Sequence, residues 1–302
     1  MRALPAGWLA MLALAAVDAF WAQRAGVAVA GWLRVACTAL LMMAAGMACR
    51  RSARWSPVGE MADAAGLWIA FTATGCVLTY LCARCALPLR DDALASLDRT
   101  IGFDWVAWSA WVEGHRAVHV VLRLAYASLL PQIVVCCCVL PLTAGRQRLS
   151  ELFWSALAAI LVTAFVSALL PALGAYPHYG LADRADWLPD VLALRRPAPV
   201  AFALGGMNGV VTMPSFHAVL AVLFIRAHRR TGVVGYAATA LNLAMLVSTP
   251  SEGGHYLCDV IAGCMVAAGS TLAVRDGRSA PVTLLRRGAA SPEAGQPLAG
   301  PA

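Results

Sequence analysis

Two short stretches place histidine beside residues that would let it act on phosphorus. In "STPSEGGHYLCDV" (248–260), His255 and Asp259 are four residues apart, so on a helix they share one face and can hydrogen-bond. An aspartate on one imidazole nitrogen fixes the tautomer and leaves the lone pair of the other nitrogen facing outward. A nucleophilic or basic histidine needs that arrangement. Gly253 and Gly254 precede it, and without a Cβ their backbone lets amides come close to a bound group. A helix starting nearby would add free N–H groups and a positive dipole end that favour an anion. In "TMPSFHAVLA" (212–221), Pro214 and Ser215 open an apolar stretch with His217 at its mouth, Pro being suited to a first helical turn. Two such histidines suit phosphoryl transfer: one attacks phosphorus and the other protonates the leaving oxygen. The competing readings are polar helix caps and a metal site built from His217, His255 and Asp259.

These residues must be positioned by membrane helices. The 302-residue chain is 61% hydrophobic and 13% charged, against roughly 25% charged residues in soluble domains. Apolar runs recur at lengths that cross about 30 Å of hydrocarbon, near 7–23, 28–49, 62–86, 117–141, 152–173, 214–230, 233–249 and 255–274. The fold class expected is an all-α polytopic membrane helix bundle. Asp18 and Arg34 interrupt the first two spans. No small-residue cleavage site follows the first apolar run, so it reads as a retained span and not a signal peptide. The division expected is N-terminal spans over 1–60, a catalytic membrane domain over 61–275 and a disordered cytoplasmic tail over 276–302, rich in Gly, Pro, Ala and Ser.

Arginine sets the orientation. Arg50, Arg51 and Arg54, then Arg146 and Arg148, then Arg226, Arg229 and Arg230, and lastly Arg275, Arg278, Arg286 and Arg287 follow alternate spans. Those loops are expected to be cytoplasmic, and both histidine motifs then face the opposite side, the periplasm or exterior of a bacterial inner membrane. The net charge of +7 is carried by arginine alone, since the chain has no lysine, and many arginines lie in these short loops, so nucleic acid is not an expected partner.

Other residues give weaker signals. Trp105, Trp108 and Trp111 recur every three residues and suit an amphipathic helix on the outer membrane surface. His115 and His119 have a spacing that can bind zinc on a helix, but without the adjacent glutamate of H-E-x-x-H they read as interfacial. His178 is placed to line a substrate entrance, and His228, among cytoplasmic arginines, reads as solvated. Most of the ten cysteines lie in apolar runs, where cysteine behaves as a small hydrophobe. Cys82 and Cys85 lack the second pair that a metal site would need.

The strings P-S-F-H and S-T-x5-H-x3-D resemble the second and third motifs of the type-2 phosphatidic acid phosphatase superfamily, usually P-S-G-H and S-R-x5-H-x3-D. "LDRTIGFDW" (97–105) and the "GGHYLCDVIAG" stretch are similar to the branch containing inositol phosphorylceramide synthase and its bacterial relatives. The resemblance covers roughly residues 85–270. It implies a six-helix core with two added N-terminal spans, His255 as the nucleophile forming a phosphohistidine, Asp259 orienting it, and His217 as acid and then base. No cofactor or metal is implied. The chain departs from the pattern twice. Thr249 stands where the family has arginine, and the first motif, K-x6-R-P, is met only by Arg196 and Pro197, with Pro189 at the lysine position. Arg195 or Arg196 is therefore the expected phosphate clamp, with Ser215, Thr249 and Gly254 around the phosphate.

The function expected is phosphoryl transfer from a lipid phosphate or diphosphate, to water in a phosphatase or to a lipid or polyol hydroxyl in a headgroup transferase. A transporter or scaffold is the rival of another class. Against it, polar residues collect at one membrane face instead of forming charge pairs in two related halves.

Overall fold

The computed structural model describes the backbone of residues 3–288 and the side chains of residues 6–275. It is a helical bundle. In chain order come α1 (Ala3–Ala25), β1 (Val27–Ala30), α2 (Trp32–Cys49), α3 (Ser56–Ala83), α4 (Asp91–Thr100), α5 (Trp105–Gly114), α6 (Arg116–Ala127), α7 (Leu129–Thr143), α8 (Gly145–Leu169), α9 (Ala175–His178) and α10 (Leu188–Leu194). Then follow β2 (Val200–Ala203), α11 (Phe216–Ala227), α12 (Val233–Glu252) and α13 (Leu257–Gly288). The all-α expectation holds, with one small addition: β1 and β2 pair in parallel, Val27 opposite Val200 through Ala30 opposite Ala203. The expected span 28–49 therefore starts later, at Trp32, after Gly31 turns the chain at φ 99°.

Six helices, α1, α2, α3, α8, α12 and α13, are long and apolar enough to cross a membrane, and α6 and α7 pass that test together as a pair bent by 54°. The expected span 214–230 is a helix of 12 residues, which rises about 18 Å against about 30 Å of hydrocarbon. The irregular segment leading to Ser215 makes up the difference. Such backbone is tolerated at membrane depth only where protein buries it, and Thr212 and Ser215 are buried. Large apolar side chains such as Leu9, Phe20, Leu33, Leu124, Phe165 and Met265 are exposed on the outside, as a lipid-facing surface requires. Helix α13 continues past the expected start of the tail at 276, and residues 289–302 lie outside those described.

Close helix contact depends on small residues. A Cβ on Gly46 would lie 2.8 Å from the Gly59 carbonyl oxygen, and one on Gly59 would lie 2.7 Å from that of Gly46, so α2 and α3 touch backbone to backbone. Arg50 closes this contact with an ion pair to Asp63 at 2.9 Å, and Trp8 Nε1 of α1 donates to the same carboxylate at 3.1 Å. Asp63 thereby joins three helices. Behind it, Trp68, Phe71 and Phe153 meet edge to face with ring centroids 5.0 to 6.2 Å apart and join α3 to α8. The expected boundary at residue 60 thus falls in the first turns of α3, on the surface that receives α1 and α2.

Replacing Gly59 with leucine should overpack this contact and cost about 1–3 kcal/mol. A lower thermal unfolding midpoint in detergent is the expected reading; an unchanged midpoint would show that α2 does not rest on α3 this closely.

Candidate active site

Helix α11 begins where helix α13 holds it. Ser215 is the N-cap of α11, its Oγ accepting from Ala218 N at 3.4 Å, and the Met213–Pro214 peptide before it is cis. Ser215 N donates to the carbonyl of Asp259 at 3.0 Å. One turn further along α13, a Cβ on Gly263 would lie 2.4 Å from the Ser215 carbonyl oxygen. Only glycine lets the two helices cross there, and the crossing brings the two histidine motifs together.

His255 lies on a short irregular link between α12 and α13. Its Nδ1 is 3.4 Å from Asp259 Oδ2, and its Nε2 is 3.4 Å from Ser215 Oγ. Asp259 Oδ2 also accepts from Tyr256 N at 3.0 Å. His255 is 4% exposed and Asp259 fully buried. A carboxylate beside Nδ1 favours the proton there and leaves the Nε2 lone pair toward the Ser215 hydroxyl. His217 stacks on Tyr126 of α6 at 4.1 Å between ring centroids, with 11° between planes. Tyr126 and His255 both lie against Gly253, where a Cβ would stand 2.6 Å from Tyr126 Oη and 2.8 Å from His255 Cδ2.

The expectation of free amides at the start of α13 is corrected. The Asp98 carboxylate of α4 accepts from Leu257 N at 2.7 Å and Cys258 N at 2.9 Å, and Asp259 takes the amide of Tyr256. Gly254 has φ 61°, and its carbonyl accepts from Ala175 N at 2.7 Å. Tyr176 lies against it, a Cβ at 254 standing 2.6 Å from Tyr176 Cδ2. Burial pushes the Tyr176 phenol up to about 12, so the group stays a donor, to the Ser251 carbonyl. Tyr256, raised by burial and then by the Asp91 carboxylate, likewise donates to Asp91 Oδ1 at 3.1 Å.

His217, His255, Asp259, Ser215 and Gly254 are thus assembled in one place. Thr249 is buried in α12 and turns its hydroxyl to the Met245 carbonyl at 2.8 Å. Arg195 lines a cleft with Thr212 and Met213, but its guanidinium donates to the Leu87 carbonyl at 2.8 Å. Arg196 is exposed, and its carbonyl accepts from Arg84. Neither guanidinium touches either histidine of the pair among the described contacts. His115 and His119 part company, His115 Nδ1 facing the Trp111 carbonyl at 2.7 Å and His119 Nε2 standing 3.5 Å from Glu252. His178 Nδ1 is 3.8 Å from Asp92. Among the described residues, no three His, Cys, Asp or Glu side chains group as metal ligands.

Two expectations from the sequence fail. His228 is buried, at 3% exposed, with Nδ1 turned to the Phe224 carbonyl at 3.0 Å; it closes the end of α11 instead of meeting solvent. The tryptophan series does not lie on one surface. Trp111 is exposed, but Trp105 is buried and donates from Nε1 to the carbonyls of Pro250 and His255, both at 3.1 Å. Sequence reasoning also missed Tyr126 and Asp98 as neighbours of the site. The signal for Asp98 and Trp105 lay in "LDRTIGFDW"; Tyr126 had none.

A family model described as the PAP2 superfamily matches residues 92–273, which takes in His217, His255, Asp259, Ser215 and Gly254. No curated protein and no solved structure matches the chain.

Gly254→Ala places a side chain at positive φ, a conformation costing roughly 1–2 kcal/mol, and drives it into Tyr176. Activity and unfolding midpoint should both drop. Gly209→Ala, with nothing within 4 Å of its Cβ, should leave both unchanged, and equal behaviour of the two variants would contradict the geometry around His255.

Proposed function

Because the chain belongs to the PAP2 superfamily, we propose that it is an integral-membrane enzyme that cleaves lipid phosphate esters or diphosphates through a phosphohistidine. The single observation carrying this reading is the alignment Asp259–His255–Ser215, with His217 at the start of the adjoining helix. Nε2 of His255 attacks phosphorus, an N–P bond forms, and the ester P–O bond breaks. His217 gives its proton to the departing oxygen. In the second half, His217 takes a proton from water as that oxygen attacks phosphorus, and the N–P bond breaks. Asp259 stabilises the positive imidazole that Nε2 bonding creates. No step in this scheme needs a metal ion. The alternation of arginine-rich loops supports a site facing the periplasm or cell exterior from a bacterial inner membrane, where a headgroup at the lipid surface can enter.

One observation favours a second reading, transfer to a lipid or polyol hydroxyl in place of water. The amides of Tyr256, Leu257 and Cys258 are taken by Asp259 and Asp98, and Arg195 is held by a carbonyl. None of these groups is then free to meet a doubly charged monoester. A singly charged phosphodiester asks for less, and its cleavage leaves a headgroup phosphate on His255 for a second alcohol to accept.

Purified protein in detergent with EDTA, given lipid phosphates, diphosphates and phosphodiester lipids with and without polyol acceptors, decides among these. His255→Ala should lower turnover by at least about 10³-fold, and His217→Asn by about 10²–10⁴-fold, both with folding retained. Phosphate release supports the phosphatase, and product seen only with an acceptor supports the transferase. Full activity in His255→Ala would overturn the phosphohistidine reading, and no turnover of any ester by the unsubstituted protein would return the chain to the transporter or scaffold class.

A further inference from the structure

The residue that must attack phosphorus sits on backbone that no helix holds. Gly253 and Gly254 precede it, and residues 254–256 have no helical or strand structure of their own. Glycine-rich backbone samples many conformations, so an imidazole carried on it needs outside restraint to meet a phosphorus atom in line. Ser215 and Asp259 restrain the ring of His255, and Asp259 also holds the next amide, Tyr256 N.

The backbone restraint on both sides of His255 that no catalytic side chain supplies comes largely from one segment, residues 91–105. Asp91 at its start accepts from Leu173 N and Gly174 N at 2.9–3.0 Å, fixing the stretch whose Ala175 N holds the Gly254 carbonyl. Asp98, 1% exposed, takes the first two amides of α13. Trp105, 2% exposed, ends the segment with one indole N–H shared between the carbonyls of Pro250 and His255. Pro250 lies in the last turn of α12, where carbonyls lack helical partners. The segment therefore grips the link on both sides of the histidine: Trp105 at the end of α12 and at His255, Asp98 at the start of α13. The indole is braced in turn, stacked on Tyr179 at 5.1 Å with 7° between planes.

We propose that Asp98 and Trp105 are positioning residues for phosphoryl transfer, clamping the backbone of His255 so that Nε2 is held in line for attack. The inference rests on the phosphohistidine reading above. It separates from simple packing because the hydrogen-bonding group can be changed while an aromatic ring or the carboxylate's shape stays, and because the exchange readout is local. Trp105→Phe keeps an aromatic ring against Tyr179 and Tyr176 and loses the N–H. Asp98→Asn keeps the shape and one acceptor oxygen but loses the charge that holds two amides.

The test pairs steady-state kinetics in detergent with amide hydrogen exchange over residues 250–258, using Trp111→Phe on the exposed face of α5 as a control. Each clamp variant should lower kcat by about tenfold or more, as loss of an N–H bond to a committed acceptor or of a carboxylate acceptor implies. KM should stay within about threefold, the signature of an interaction that matters after binding. Exchange over 250–258 should quicken by about tenfold while the rest of the protein exchanges normally, and the control should match wild type in both. Unchanged kcat in Trp105→Phe and Asp98→Asn would overturn the proposal, as would a kcat loss without local exchange or one that only tracks a lost folded fraction. A failure of the phosphohistidine reading shows elsewhere, as full turnover in His255→Ala or none in the unsubstituted protein. The exchange arm still judges the clamp in that case, and unchanged exchange would overturn it.

Discussion

Asp259 is the residue on which the arrangement depends, because it makes three connections with one backbone unit and one carboxylate. Its carbonyl receives Ser215 N at 3.0 Å, which ties the start of α11 to the first turn of α13. Its Oδ2 receives Tyr256 N at 3.0 Å and stands 3.4 Å from His255 Nδ1. The residue is fully buried, and a buried carboxylate without partners is costly. Here the cost is offset by amide donation and by an imidazole that can carry positive charge. The same contacts that make the carboxylate tolerable in an apolar bundle set the distance between the two histidine motifs.

The rest of the site follows from how a polar, irregular segment is accommodated among lipid-facing helices. Helix α11 is too short to span by itself, so its polar start is sunk into the protein. Every backbone group there needs a partner, because none is available from hydrocarbon. The partners come from distant chain segments: Asp98 for α13, Asp91 for Leu173 and Gly174, Tyr176 for Ser251, and Trp105 for Pro250 and His255. Glycine at 254 and 263 makes room where backbone must meet a ring or another backbone. Such satisfaction rigidifies a site, and catalysis by positioning depends on that rigidity.

Much of this was legible in the amino-acid order. Hydropathy located the helical spans because only closed backbone hydrogen bonding survives in lipid. His255 and Asp259 do meet at 3.4 Å, although His255 stands on the link before α13 and not on a shared helical face, and Ser215 stands at a helix start, as its pairing with Pro214 suggested. Arg195 was less legible: a guanidinium is long enough to serve several places, and here it went to the Leu87 carbonyl. Thr249 had an equally good partner one turn back in its own helix. His228 looked solvated because its neighbours in sequence are arginines, whereas its neighbours in space close a helix end.

By itself the sequence determined a polytopic helical membrane protein with two histidine motifs that resemble those of the PAP2 superfamily, since composition, period and local spacing are properties of contiguous residues. Which amides remain open to a phosphate, what stacks on His217, and what holds the His255 backbone were decided only by tertiary structure. Asp98 and Leu257 are 159 positions apart, and Trp105 and His255 are 150. No local periodicity encodes such a meeting; it exists only once helix packing has brought α4 and α5 over the start of α13.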